Sequence, residues 1–156
     1  GIVETLSHHP NIIGIKDSGG DMVYFKGLRE KYRQRNDFVI FIGPEERLGD
    51  AVALGAAGGV CGGANLLPHL YTSFYKAATL NDTATIAKCK AQIQSVFNSV
   101  YCDTDDKMNL IPGLKRAMHE RGLCNATVAP PLLPVTEAHA SKICSALPQL
   151  VAASQL

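Results

Sequence analysis

Apolar and polar positions in this chain follow two rhythms, one of strands and one of helices. Pro10-Asn11 leads into the β-branched Ile12, Ile13 and Ile15, and Gly19-Gly20 follows, so residues 11–16 read as a buried strand. Asp21 then caps a helix running to about residue 34. Its apolar face is Met22, Phe25, Leu28 and Tyr32, opposite Lys26, Arg29, Glu30 and Arg33. Asn36-Asp37 turns the chain into a second strand, Phe38 to Ile42, apolar at every position, as strands covered on both faces are. Gly43-Pro44-Glu45-Glu46 ends that strand and opens a short helix to about Leu54. Gly58 to Gly63 forms a third strand of small residues, where glycines allow a close approach by a ligand or another backbone. Pro68 sits early in the next helix, whose predicted buried face is Leu70, Tyr71, Phe74, Tyr75 and Ala78.

The remainder is helical. Asp82 opens a long helix with Ile86, Cys89, Ile93, Val96, Phe97, Val100 and Tyr101 on one face. Asn109 and Pro112 open another, which Gly122 ends as the residue after the cap. A proline-rich linker, Ala129 to Pro134, leads to a last helix capped by Thr136 and closed before Pro148, with a frayed tail beyond it. Ahead of the first strand, Glu4 to Pro10 reads as the last turns of a helix. His8 and His9 suit its negative end but point about 100° apart, too far to share a metal ion easily.

Strand and helix alternating three times predict parallel β/α units. Three strands are too few for a sheet of this kind, because both its edges would stay open. A closed (β/α)8 barrel runs to about 250 residues. The pattern therefore predicts an α/β fold, the second half of a TIM barrel (strands six to eight) over residues 1–80, with a C-terminal helical extension over 81–156. Gly1 opens the chain without a methionine, which points to a start further upstream.

Composition narrows the function classes. The chain has 156 residues, 46% of them hydrophobic, and a mean hydropathy of +0.04, which fits a globular protein. Fifteen basic against fourteen acidic residues leave a charge of +1, and no basic stripe is interleaved with aromatics, so nucleic acid is not an expected partner. The longest apolar stretch, Ala51 to Leu67, is broken by Gly55, Gly58-Gly59 and Gly62-Gly63, so no membrane partner is expected either. The N-terminus shows no secretory pattern. Five spaced cysteines without a C-x-x-C predict reduced thiols, most of them small core residues, in a cytoplasmic or mitochondrial-matrix setting. The glycines at 58–63 match neither a dinucleotide fingerprint nor a P-loop.

The residue with chemistry is Lys16, at the end of its strand. A lysine there is expected to be half desolvated, which makes the neutral nucleophilic amine accessible near neutral pH; the plain alternative is the first solvated residue after a strand.

His9 to Asp21, with Lys16-Asp17-Ser18-Gly19-Gly20-Asp21 at its centre, resembles the Schiff-base lysine motif of the dihydrodipicolinate synthase and N-acetylneuraminate lyase family. The similarity continues through Phe41-Ile42-Gly43 with Glu45-Glu46, Leu54 to Val60, Ala64-Asn65 and Ile111-Pro112-Gly113-Leu114-Lys115. It implies a TIM barrel with a helical extension and a homo-oligomer, dimer or tetramer. It implies a class I aldolase or lyase in which Lys16 condenses with a small 2-oxo acid such as pyruvate, without metal or cofactor. Ser18, Gly43, Glu45, Glu46, Val60 and Gly62 match substrate-binding positions, Val60 through its backbone carbonyl. For Glu45 and Glu46 a charged first helical turn is an equally good explanation, and Val60 is expected to be a core valine as well. The family's tyrosine proton relay and hydroxyl-rich carboxylate clamp would lie upstream of Gly1, and Tyr24, Tyr32, Tyr71, Tyr75 and Tyr101, all on predicted helices, are poor substitutes. The motifs look closer to 4-hydroxy-2-oxoglutarate and 2-keto-3-deoxy sugar-acid aldolases than to the synthases. Dihydrodipicolinate synthase remains the alternative, as does an inactive half-barrel serving as an oligomerisation or binding module. The 156 residues alone are expected to be nearly inactive.

Overall fold

The computed structural model describes residues 1–102 and 109–154, and the fold is α/β. The chain divides into two compact units. The first comprises Gly1–Cys61 and Phe74–Ile86; the second comprises Gly62–Ser73 and the chain from Ala87 onward.

In the first unit, α1 (Ile2–Ser7) precedes β1 (Gly14–Asp17), α2 (Met22–Lys31), β2 (Val39–Ile42), a 3-10 turn (Glu45–Arg47), α3 (Leu48–Ala53) and β3 (Gly58–Gly59). The strands form one parallel sheet in the order β1-β2-β3, so β1 and β3 are its edges. Asp21 caps α2 as its sequence position predicts, accepting from the N–H groups of Val23 and Tyr24 at 2.8 and 3.2 Å. Phe25 and Leu28 of α2 are buried with Ile40, Ile42, Leu48 and Ala51, and each of these side chains larger than alanine contributes about 1.5–3 kcal/mol. Tyr32 and Phe38 stack with ring centroids 4.7 Å apart, and Arg35 lies over the Phe38 ring. Lys31 pairs with Glu4 at 2.8 Å and ties α2 to α1.

The strands are shorter than the apolar runs that encode them. Ile12 and Ile13 lie outside β1, and Ile13 is 70% exposed, because β1 is an edge with no neighbour on that side among the described residues. Phe38 is buried but precedes β2. Beyond Gly59 the expected third strand turns: Gly62–Asn65 is a 3-10 turn, closed by Asn65 Nδ2 donating to the Gly62 carbonyl.

Helix α4 (Pro68–Leu80) runs through the change of unit, as does α5 (Thr83–Val96). Leu70, Tyr71, Phe74 and Ala78 of α4 are buried, but Tyr75 is 37% exposed, so it is not part of the predicted face. The expected continuous helix to Tyr101 changes at Phe97 into a π-helical turn (Phe97–Tyr101). That turn packs against α6 (Leu110–Glu120) and α7 (Glu137–Ala153). Gly113 of α6 is required there, since a Cβ would overlap the Val100 carbonyl oxygen. Gly122, with φ +71, follows the α6 C-cap as predicted.

The last helix does not close before Pro148. It continues to Ala153 with Pro148 inside, and the expected frayed tail is helical with Leu150 buried. Burial of Leu147 and Leu150 on either side of the proline offsets the backbone hydrogen bond that it removes. No helix among the described residues is long and apolar enough to cross a membrane.

Candidate active site around Lys16

Lys16 is the third residue of β1 and pairs with Phe41 of β2, so it stands at the C-terminal rim of the parallel sheet. Alternation along the strand puts Lys16 on an exposed face and Asp17 on a buried one. The partial desolvation expected for Lys16 is not seen: among the described residues it is exposed and forms no ion pair.

Gly43 follows β2 directly, and its N–H donates to the Asp17 carbonyl at 2.7 Å, binding the two strand ends together. A Cβ at Gly43 would stand 2.9 Å from Lys16 Cε, 3.0 Å from Ser18 Oγ and 3.1 Å from the Asp17 carbonyl oxygen. Lys16, Ser18 and Gly43 are therefore one contiguous group, and the Lys16 side chain lies over the face of Gly43 that lacks a side chain. The requirement is for space, not for an unusual backbone angle.

Glu45 and Glu46 start the 3-10 turn two residues on and divide sharply. Glu45 is 6% exposed, whereas Glu46 is exposed and 4.0 Å from Arg47. A charged first helical turn accounts for Glu46, but a solvated face does not explain the buried Glu45. Val60 extends the sheet by one bond, its N–H donating to the Ile42 carbonyl at 2.8 Å. Its side chain is 49% exposed, so it is no core valine; β3 is the other sheet edge. Gly62 opens the 3-10 turn of the second unit.

Two members of this neighbourhood escaped the sequence pattern. Cys61 packs over Gly59, where a Cβ would come 2.8 Å from its Sγ. Burial pushes its thiol up to about 12, and the Glu45 charge adds to the rise while Lys16 opposes it. The thiol thus lies within electrostatic reach of Lys16, Glu45 and Glu46. Its position after Val60, within the small-residue run 58–63 that the sequence predicts as a strand of alternating faces, was the available signal. Asp17 is 7% exposed; one carboxylate oxygen accepts from the Gly19 N–H at 2.9 Å, and the other is buried without a partner. None of the five tyrosines lies on a strand. Among the described residues no group of three His, Cys, Asp or Glu side chains could hold a metal ion.

Chemically, the group offers a primary amine at a strand end, a hydroxyl at Ser18, and a buried carboxylate and thiol close by. That combination suits covalent chemistry at a carbonyl.

A sequence profile described as the Dihydrodipicolinate synthetase family matches residues 1–150. A 4-hydroxy-tetrahydrodipicolinate synthase of Alcanivorax borkumensis is 31% identical over 136 residues, covering 87% of this chain and 44% of that protein. The structure of dihydrodipicolinate synthase from Bacteroides thetaiotaomicron superimposes with a TM-score of 0.86 at 33% identity, over 94% of this chain and 49% of the other. A dihydrodipicolinate synthase from Acinetobacter baumannii, solved with pyruvate, gives 0.77 at 27% identity, over 94% and 48%. The chain spans about half the length of the relatives it matches.

Proposed function

The chain belongs to the dihydrodipicolinate synthetase family, and on that premise we propose that Lys16 is the Schiff-base nucleophile of a class I aldolase or lyase acting on a 2-oxo acid. Its amine adds to the C2 carbonyl, and loss of water leaves an iminium. The C4 hydroxyl gives its proton to a base as the bond between C3 and C4 breaks, and the electron pair of that bond moves toward the iminium nitrogen, giving an enamine and an aldehyde. Protonation of the enamine carbon and addition of water return the lysine and release pyruvate; from a 4-hydroxy-2-oxoglutarate the aldehyde already released is glyoxylate. The reverse sequence forms the bond. The nitrogen itself is the electron sink, so this chemistry calls for no metal or cofactor.

The observation that carries the proposal is the placement of Lys16 at the C-terminal end of β1, with its side chain over the bare face of Gly43. In barrels built of such units that rim is where active sites lie. In this proposal β1, β2 and β3 are strands six to eight of a barrel, followed by its helical extension. The remaining strands, a tyrosine relay and a carboxylate clamp are then supplied from outside the 156 residues, in a homodimer or tetramer. Ser18, Gly43, Glu45, Glu46, Val60 and Gly62 contact the substrate, and the short chain alone turns over little of it.

For the substrate, the lysine motif favours cleavage of a 4-hydroxy-2-oxoglutarate or 2-keto-3-deoxy sugar-acid type. The names of the relatives support a second reading, condensation of pyruvate with an aldehyde as in dihydrodipicolinate synthase. A half-barrel that only binds or oligomerises is the reading from outside enzymology.

The test is borohydride reduction with pyruvate, followed by peptide mass mapping, on a chain that includes the upstream half. A stable adduct on the Lys16 peptide is expected. Its absence overturns the proposal. Turnover of candidate 2-oxo acids then separates cleavage from condensation.

A further inference from the structure

We infer that Asp17 is a positioning residue of this site: by holding the Gly19 N–H, its carboxylate fixes the turn that presents Lys16 and Ser18. The inference rests on Lys16 being the reactive amine proposed above.

Asp17 is anchored through three groups. Its backbone pairs with Ile42 in the sheet, its carbonyl oxygen accepts from the Gly43 N–H at 2.7 Å, and its Oδ1 accepts from the Gly19 N–H at 2.9 Å. Lys16 and Ser18 flank it on the chain, and both reach the space above Gly43. Gly20 leaves the turn with φ +74, and Asp21 then caps α2. The bond from Gly19 to Asp17 therefore closes the short loop between the last residue of β1 and the first turn of α2. Without it, the chain from Ser18 to Gly20 keeps no other side-chain hydrogen bond among the described residues.

The chemistry at this position is costly. Asp17 is 7% exposed, and its Oδ2 is buried with no partner. An asparagine would satisfy the same turn without a buried charge. A charged acceptor makes the stronger bond to an N–H, so the stiffer turn comes at the expense of the unpaired oxygen. A turn needed only to change chain direction has no use for that stiffness. A lysine whose amine must meet a carbonyl carbon within a few tenths of an ångström does.

The test compares Asp17→Ala with Asp17→Asn, which keeps an acceptor oxygen. Two measurements are made on the chain itself: hydrogen exchange at the Gly19 amide, and acylation of Lys16 by an amine-directed reagent, normalised to exposed Lys26. Asp17→Ala is expected to speed Gly19 exchange by roughly tenfold or more and to change relative Lys16 acylation at least about threefold. Asp17→Asn, which keeps the acceptor but not the charge, is expected to rescue both in part, to values between Asp17→Ala and the parent. If Asp17→Ala does not fold, Asp17→Ser takes its place, its shorter hydroxyl making a weaker turn and an intermediate result. Faster Gly19 exchange with unchanged Lys16 acylation overturns the inference, as does failure of Asp17→Asn to rescue. Failure of the aldolase proposal looks different, because the unsubstituted longer chain then forms no pyruvate adduct whatever Asp17 does.

Discussion

Substituting Gly43 by alanine is the sharpest perturbation of the proposed site. The new Cβ would meet Lys16 Cε at 2.9 Å, Ser18 Oγ at 3.0 Å and the Asp17 carbonyl oxygen at 3.1 Å. Comfortable carbon–carbon contact lies at about 3.5–4.0 Å, so Lys16 must withdraw by roughly 0.6–1 Å. Lysine is long and flexible and can do so. The Asp17 oxygen cannot, because it is held at 2.7 Å by the N–H of the substituted residue itself. Overpacking costs about 1–3 kcal/mol, and two of the three contacts here are movable side-chain ends, so a loss of about 1–2 kcal/mol is expected in urea unfolding. Function should suffer more than stability, since displacing a reacting group by about 1 Å can cost roughly a hundredfold. The assay is the rate of borohydride trapping with pyruvate on the longer chain, with Lys16 acylation on the short one. Trapping at the parent rate, with an unchanged unfolding midpoint, would refute the assignment of Gly43 as the floor beneath Lys16.

Two further outcomes are expected. At pH 8 Cys61 should resist alkylation in the folded chain and react once the chain is unfolded, because its thiol is pushed up to about 12 from an ordinary 9.0. A raised thiol stabilises the folded state below the unfolded value and loses that contribution as pH climbs toward 12, so Cys61→Ala should flatten the alkaline fall in stability; fast labelling of Cys61 by peptide mapping would contradict both. Pro148→Ala should stabilise the chain by about 1–3 kcal/mol in urea unfolding, since it restores a backbone donor within α7, and an unchanged or lowered midpoint would show that the proline is accommodated without cost.

What the sequence made legible was local chemistry. Asp21, Thr136 and Gly122 sit where helix ends need an acceptor or a left-handed residue, and the structure uses each so. The nearness of Lys16, Ser18 and Gly43 was legible through their resemblance to a motif, because a parallel pair brings the residues after β1 and β2 to one rim. Burial was harder to read, since it depends on neighbours that lie elsewhere. Ile12 and Ile13 are as apolar as any core residue, yet the edge position of β1 leaves Ile13 open. Pro148 reads locally as a stop, but the buried Leu147 and Leu150 keep the helix going through it. The π-helical turn needs one residue more per turn than the apolar spacing suggests, and only its packing against α6 and α7 reveals it. Asp17 was passed over because an acidic residue at a strand end looks solvated until its surroundings are seen.

The order β1-β2-β3 has a practical consequence for anyone handling this chain. Each outer strand carries a row of backbone donors and acceptors with no strand beside it among the described residues, and next to β1 stands the bare Ile13. Such a row is a template for any extended peptide, including another copy of the same chain. A net charge of +1 offers little repulsion against such strand addition. Soluble handling and completion of the sheet become the same problem, solved by whatever strand takes the place beside Gly14–Asp17.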